Sequence, residues 1–387
     1  MTFLFVCGGS AGHINPAIAI AEQLRKKCPE INILFTGADK ILEKRLVPAA
    51  GFDLVNIKMS GLRRGFSPQD IIHNIKTAKN LITANYRSSK LLKKYKPGAV
   101  IGTGGYVCYP VLKKASKFGI PTFILEPNAY PGLTVRLLSK IVDRVFVTYP
   151  GLEDRYSHPE RVVYTGTPLK SEFFINRDNA EKSVLKEDKK PLVISYWGSL
   201  GATGMNIKIL DFIKRNLEEN KFNHIHATGV SGSADEMCNR LKELGIKEVK
   251  PPEADIREYI NDMPDVMKAA DIVISRAGAS TVAELTALGK PCILIPSPNV
   301  TENHQEENAK QLQLAGGAEM ILEKDCTGEV LFKTVEELLD NKEKLEAMAN
   351  AQKSLSIPNA AGIIIDKVLA YCGDMHVKGE ADNGREH

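Results

Sequence analysis

In CGGSAGHINP, residues 7–16, a histidine follows a run of glycines that itself follows the apolar stretch FLFV. An imidazole with an ordinary pKa of about 6.5 suits a general base near neutrality. Gly8, Gly9 and Gly12 permit a tight turn and close backbone approach. A helix starting there would present N–H groups and partial positive charge to an anion. The plainer alternative for His13 is a local hydrogen bond at a helix start. The spacing is not G-x-G-x-x-G, and no acid ends the INILFTG stretch, although Asp39 lies nearby. A nicotinamide dinucleotide is therefore a poor fit.

Three further segments repeat this pattern of a strand ending in special residues. In AVIGTGGYVCYP, Gly104 and Gly105 bring backbone close to whatever lies above the sheet, and Tyr106 either points into that crevice or packs. In PTFILEPNAYPG, Glu126 and Asn128 suit hydroxyl recognition, while Pro127 and Pro131 alone would make a rigid loop. In DIVISRAGASTVAELTALGK, Ser280 and Thr281 read as N-cap residues, and Thr281 with Glu284 fits a T-x-x-E capping box. The functional alternative has Glu284 accepting hydrogen bonds from a vicinal diol such as a ribose, with the backbone of Ala279 and Ser280 meeting a nucleotide. His304 and Gln305 lie where NVTENHQEENA enters a helix, and solvated helix charge is the default reading there.

The elements that must position these residues are legible as alternation. TFLFVC, INILF, DLVNI, AVIGT, PTFIL and DRVFVT alternate with amphipathic stretches. After the charge-dense NAEKSVLKEDKKP the alternation restarts with LVISYW, NHIHAT, DIVIS and PCILIP. Such alternation predicts βα units around parallel sheets. The 387 residues suffice for two α/β domains. Both halves open alike, with FLFVCGGSAGH and LVISYWGSLGA.

Composition narrows the function classes. With 43% hydrophobic and 25% charged residues the chain reads as a globular protein, and no run approaches the ~18 apolar residues of a membrane span. MTFLFV lacks a basic n-region, so a secretory leader is not expected, and the chain is placed in the cytoplasm. Seven cysteines without a C-x-x-C pair argue against a disulfide framework or a zinc site and predict mostly buried thiols. The net charge of +4 gives no reason to expect a nucleic-acid partner. From Asn74 to Lys96 there is no acid, while Lys76, Lys79, Arg87, Lys90, Lys93, Lys94 and Lys96 accompany Leu81, Ile82, Tyr86, Leu91 and Leu92. Either a crossover helix with a basic face or an anionic membrane surface accounts for this, with Arg63, Arg64 and Phe66 extending the patch.

The order and spacing of GGSAGHINPAIAIAEQL, SGLRR, YKPGAVIGTGGYVCYP, GIPTFILEPNAYPGLTVRLLSK, YTGTPLKSEF, WGSLGA, INDMPDVMKAADIVISRAGASTVAELTALGKPCILIP and HQEENA resemble the MurG family of bacterial N-acetylglucosaminyltransferases, from the first strand to about residue 372. That resemblance implies a GT-B glycosyltransferase, two Rossmann-like domains facing across a cleft. Residues 1–165 would form the acceptor domain and 166–356 the UDP-GlcNAc domain. A helix over about 357–372 would pack back on the first domain, and 373–387 would be a polar disordered tail.

The implied reaction is inverting transfer of GlcNAc from UDP-GlcNAc to the 4-hydroxyl of undecaprenyl-pyrophosphoryl-MurNAc-pentapeptide (lipid I), with no cofactor and no essential metal. No D-x-D motif occurs. The resemblance places Ser10, Ala11, Gly12, Asn128, Lys170, Ser199, Ile260, Ala279, Ser280, Thr281, Val282, Ala283, Glu284 and Gln305 around the nucleotide sugar. It implies His13 as the base, with Glu126 its rival and Asn128 orienting sugar hydroxyls, and Gly104, Gly105 and Tyr106 on the acceptor side. It further implies peripheral attachment to the cytoplasmic face of the membrane and contact with other cell-wall or division proteins. This sequence departs from the family at Ala11, at Lys170 in place of an arginine, in WGSLGA for GGSQGA and in LEPN for HEQN. A UDP-GlcNAc 2-epimerase, a non-catalytic nucleotide-sugar sensor and a transferase acting on another lipid are the rival readings.

Overall fold

A computed structural model describes residues 1–57, 59, 68–174 and 190–383, the side chains of 68–79, 81, 82, 301 and 375–383 excepted. Arg63, Arg64 and Phe66 lie outside the described residues, as do the side chains of Lys76, Lys79, Leu81 and Ile82. The chain divides into two compact units, Met1–Lys170 with Asn359–His387, and Ser171–Pro358.

In the first unit seven parallel strands form one sheet: β1 (Thr2–Val6), β2 (Asn32–Gly37), β3 (Asp53–Asn56), β4 (Ala99–Gly102), β5 (Thr122–Glu126), β6 (Arg144–Val147) and β7 (Val162–Tyr164), in the order β3-β2-β1-β4-β5-β6-β7. Its helices are α1 (Ala11–Lys27), α2 (Ile41–Ala49), α3 (Pro68–Tyr95), α4 (Cys108–Lys117) and α5 (Leu133–Leu138). The helix Ala360–Asn383, α13 in chain order, also belongs to this unit. It runs past Cys372, where the sequence reading ends it.

The continuous apolar run of β1 follows from coverage of both sheet faces. Side chains alternate across a strand, so Phe3 and Phe5 join α1 and Ile364, Ile365 and Val368 of α13, while Leu4 and Val6 join α3, α4 and α5 on the other side. Phe5 stacks on Phe35 with ring centroids 5.2 Å apart, and Phe35 meets Phe52 tilted at 5.1 Å. One stretch, Lys342–Asp374, is apolar enough by composition to cross a membrane. It is broken at residues 356–359, and Ile364, Ile365 and Val368 are fully buried in the first unit's core.

The second unit carries β8 (Leu192–Tyr196), β9 (Asn223–Ala227), β10 (Asp255–Arg257), β11 (Ile272–Ser275), β12 (Cys292–Leu294) and β13 (Ala318–Met320), parallel, in the order β10-β9-β8-β11-β12-β13. Around them lie α6 (Thr203–Glu219), α7 (Ala234–Glu243), α8 (Met263–Ala269), α9 (Ala279–Leu288), α10 (His304–Leu314), α11 (Gly328–Leu339) and α12 (Lys342–Leu355). Phe212, Phe222 and Phe332 cluster beside His224, whose ring meets Phe212 edge-on at 5.0 Å. Of the seven cysteines five are buried and two half-buried, all as thiols.

Each sheet reverses its winding once. In the first unit the chain moves outward from β1 to β3, then returns to lay β4 on the other side of β1. In the second it does the same at β8 and β11. Ligands of open α/β sheets bind outside the carboxyl ends of the strands at such reversals. The residues after β1 and β4, and after β8 and β11, are thereby singled out by topology alone.

Candidate active site

After β1 the chain turns through Gly8 and Gly9 and enters α1 at Ala11, with Ser10 as N-cap. Ala11 and Gly12 are thus the first two helical residues and His13 the third, inside the first turn. Ser10 Oγ does not cap the helix; it lies 3.2 Å from His13 Nδ1. Nδ1 is also 3.1 Å from the Gly8 carbonyl. A carbonyl only accepts, so Nδ1 carries the proton of that bond, and Nε2 is the basic nitrogen of the neutral ring.

The β4 loop closes over this ring. A Cβ on Gly104 would come within 2.4 Å of His13 Cδ2, and one on Gly105 within 2.3 Å of the Gly8 carbonyl oxygen. Both glycines have positive φ, 114° and 86°, so two independent constraints exclude side chains here. Thr103 Oγ1 donates to the His13 carbonyl at 2.6 Å, tying β4 to the first turn of α1. Tyr106 is half-buried and packs against the core under α4, with its hydroxyl 3.5 Å from the Met59 carbonyl.

At the end of β5, Glu126 is buried and its carboxylate is committed. Oε1 accepts from the Asn128 backbone N–H at 3.0 Å and its Nδ2 at 2.9 Å, and Oε2 accepts from Gly132 N–H at 2.9 Å. Desolvation raises its pKa to about 6, opposed by these bonds. These bonds tie the carboxylate to the Pro127–Gly132 loop and to Asn128.

In the second unit, Ser199 sits in the exposed turn Gly198–Gly201 after β8. This turn is fastened to the β9 loop by Val230 N–H to Ser199 O and Ser231 N–H to Leu200 O, both 3.1 Å. After β11, α9 begins at Ala279 with Gly278 as N-cap and no side-chain cap. The capping-box reading is therefore corrected. Ser280 and Thr281 are the second and third helical residues, and Glu284 stands beyond the capping position. Ser280 Oγ is buried with no hydrogen-bond partner among the described residues. Glu284 lies close enough to Tyr196, at the end of β8, to help raise that phenol's pKa, after burial as the larger cause. Val282 is buried, while Ala279, Thr281 and Ala283 are half-buried. Gln305, in the first turn of α10, accepts from Ser297 N–H through Oε1 at 2.9 Å and so holds the loop after β12.

The structure thus groups Ser10–His13 with Gly104 and Gly105 in the first unit. It groups Ser199, Ala279–Glu284 and Gln305 on the loops of the adjacent strands β8, β11 and β12 in the second. Ile260 follows β10, two strands from β8, and is buried. Lys170 is half-buried and closes the first unit, directly before the Ser171–Phe173 turn that meets α9. Among the described residues no cluster of three His, Cys, Asp or Glu side chains could hold a metal ion.

Sequence reasoning missed Glu43, which is fully buried in α2 and accepts from Gly9 N–H at 3.0 Å. A lone glutamate in ADKILEKRL carries no local signal; only the fold sets it under the glycine turn.

The expected basic patch is revised too. Leu91 and Leu92 are core residues with Ala84, so they face the sheet. The opposite side of α3 exposes Tyr86, Arg87, Lys90, Lys93 and Lys94. On the same sheet face Lys117 and Phe118, at the end of α4, and Leu133, Leu137, Lys140 and Ile141, around α5, are exposed.

The glycosyltransferase family 28 N-terminal domain matches residues 3–147, and the family 28 C-terminal domain matches residues 194–362. The UDP-N-acetylglucosamine–N-acetylmuramyl-(pentapeptide) pyrophosphoryl-undecaprenol N-acetylglucosamine transferase of Acetivibrio thermocellus is 44% identical over 354 residues, 91% of this chain and 93% of that one. Among solved structures, Acinetobacter baumannii MurG superposes with a TM-score of 0.74 at 24% identity, covering 95% of this chain and 99% of its own. A UDP-GlcNAc 2-epimerase from Neisseria meningitidis, bound to UDP-GlcNAc, gives 0.68 at 15% identity, covering 96% and 100%. Both structures share the two-domain fold.

Proposed function

The chain belongs to the UDP-N-acetylglucosamine–N-acetylmuramyl-(pentapeptide) pyrophosphoryl-undecaprenol N-acetylglucosamine transferases of glycosyltransferase family 28, and from that membership we propose its reaction and the residues that carry it. The protein transfers GlcNAc from UDP-GlcNAc to the 4-hydroxyl of undecaprenyl-pyrophosphoryl-MurNAc-pentapeptide with inversion at the anomeric carbon. The observation that carries this reading is the transferase likeness running through both units, because it includes the loops at both sheet reversals. An epimerase shares the fold alone, and its likeness lies at the level where only fold is informative.

In the reaction the acceptor O4 forms a bond to the sugar C1 as the bond from C1 to the diphosphate oxygen breaks. The hydroxyl proton goes to His13 Nε2, and the electron pair of the broken bond leaves with UDP. The diphosphate's growing charge is met by the first-turn N–H groups of α9, by Ser280 Oγ and by the Ser199 turn. These are preorganised donors at the positive end of a helix. Glu284 accepts from the ribose diol, Gln305 and the Ile260 backbone complete the donor site, and Lys170 adds positive charge. Asn128, aimed by Glu126, orients sugar hydroxyls.

The acceptor is a membrane lipid, which gives the basic and apolar face of α3 to α5 a role. Lysines and arginines near an anionic surface are worth about 1 kcal/mol each. Arg87, Lys90, Lys93, Lys94, Lys117 and Lys140, together with Tyr86, Phe118 and Leu137, are sufficient for reversible attachment to the cytoplasmic leaflet. Incubation with UDP-GlcNAc and a short-chain lipid I analogue should release UDP in step with acceptor loss. A diacylglycerol acceptor should release none. Release with the diacylglycerol alone would reassign the acceptor.

A further inference from the structure

We propose that Glu43 positions and activates His13 through the single peptide unit that joins Gly8 to Gly9, so that carboxylate, peptide and imidazole form one hydrogen-bonded relay. The inference rests on His13 being the base of the proposed reaction. The Gly8 carbonyl and the Gly9 N–H belong to the same planar amide. Its oxygen accepts from His13 Nδ1 at 3.1 Å, and its N–H donates to Glu43 Oε1 at 3.0 Å. An anionic acceptor on the N–H polarises the amide and makes its oxygen a stronger acceptor, since hydrogen bonds in chains strengthen one another at low dielectric. The proton on Nδ1 is then held more tightly. Imidazolium formation at Nε2 is favoured, as it is when a carboxylate contacts the ring directly.

The surrounding residues are cut to fit this relay. A Cβ on Gly8 would lie 2.7 Å from Glu43 Oε1, and one on Gly37 2.8 Å from Glu43 Cγ, so both glycines make room for the carboxylate arm. Gly104 and Gly105 make room for the histidine ring and the Gly8 carbonyl at the other end. Glu43 Oε2 has no hydrogen-bond partner among the described residues. A residue kept only to tie down Gly9 N–H needs neither that second oxygen nor its charge in a buried place, because a glutamine would make the same bond.

Among the described residues, the titratable groups that feel Glu43 are Cys7 at the end of β1 and Tyr106 in the β4 loop, with Cys108 of α4 beside Cys7. Burial raises the pKa of each, leaving them neutral near pH 7. Asp39 is paired with Lys44 at 2.8 Å.

The test is ¹⁵N NMR of the histidine rings in the full chain, with the His13 signals assigned by their loss in His13→Gln. Nδ1 protonation of the neutral ring is expected in the unaltered protein, a measurement that needs no Glu43 variant. In Glu43→Gln, which keeps the acceptor for Gly9 N–H, the His13 pKa should fall by about one unit. The acidic limb of kcat should move with it, kcat should drop about tenfold, and KM for UDP-GlcNAc should hold. A neutral ring protonated at Nε2, or a Glu43→Gln protein with unchanged His13 titration, overturns the relay. Full turnover by His13→Ala, with the titration still coupled to Glu43, would instead refute the assignment of the base.

Discussion

At the scale of single residues, the protonation pattern of His13 is set by the Gly8 carbonyl and its reach by the glycines that clear space around it. Replacing His13 with Ala should lower kcat by about 10²–10⁴-fold while leaving the Kd for UDP-GlcNAc unchanged. Steady-state turnover beside calorimetric binding separates the two, and a fall in binding alone would make His13 a donor-site contact. Glu284→Gln should raise the Kd for UDP-GlcNAc by about ten- to a hundredfold, from loss of a charged acceptor worth about 1.5–3 kcal/mol. Unaltered affinity would return Glu284 to a structural role.

The sequence held the residue types at this scale but misassigned one local structure. Thr281 and Glu284 have capping-box spacing, yet the chain uses Gly278 as N-cap and puts both inside the helix. The hydrogen bonds of Glu126 were equally illegible, because they depend on how Pro127–Gly132 folds back on its own strand. Glu43 lay in a different βα unit from His13 and could be found only by folding them together.

At the scale of elements, alternation of apolar runs and amphipathic stretches was enough to predict parallel βα units, since strands covered on both faces must be apolar throughout. What it left open was which side of a helix meets the sheet. Leu91 and Leu92 illustrate this: adjacent to lysines in sequence, they belong to the core because Ala84 and Ser88 share their face.

The loop geometry is equally strict. Gly105→Ala would press a Cβ to 2.3 Å from the Gly8 oxygen at a φ of 86°. A loss of about 1–3 kcal/mol in unfolding free energy is expected, with activity lost alongside. Denaturant unfolding of the variant checks it.

The β8 and β9 strands carry a device that the sequence did not reveal, because period-2 patterns do not report side-chain pairing. Ser195 Oγ lies 2.8 Å from His224 Nε2 and 2.7 Å from His226 Nδ1, all three buried. Burial lowers both histidine pKa values, that of His226 to about 3. The unfolded chain therefore binds protons that the folded unit refuses. Stability is expected to hold above about pH 6.5 and to fall as pH drops toward 3, by up to about 1.4 kcal/mol per pH unit for each ring. Urea midpoints of the second unit measured across that window should decline, and His226→Gln should flatten the slope.

At the scale of the whole molecule, the echo of FLFVCGGSAGH in LVISYWGSLGA was a sound guide to two units of one design, each with some of its candidate residues at the sheet reversal. The proposed membrane face was legible as the basic helix and its own apolar residues. Its further apolar members Phe118, Leu133, Leu137 and Ile141 come from segments distant in sequence from the basic helix and meet it only on the folded sheet. Binding to vesicles rich in anionic lipid should weaken as salt rises and weaken further in Lys93→Glu/Lys94→Glu. Salt-indifferent binding, equal on neutral vesicles, would count against that face.

The central claim is that this chain joins GlcNAc to a lipid-linked acceptor rather than remodelling the nucleotide sugar by itself. Product analysis with UDP-GlcNAc, in the presence and absence of a short-chain lipid I analogue, tests it most directly. Disaccharide-bearing lipid and an equal amount of UDP should form only when the acceptor is present. A C2 epimer appearing without acceptor, or an acceptor left untouched by an otherwise folded and donor-binding protein, would contradict it.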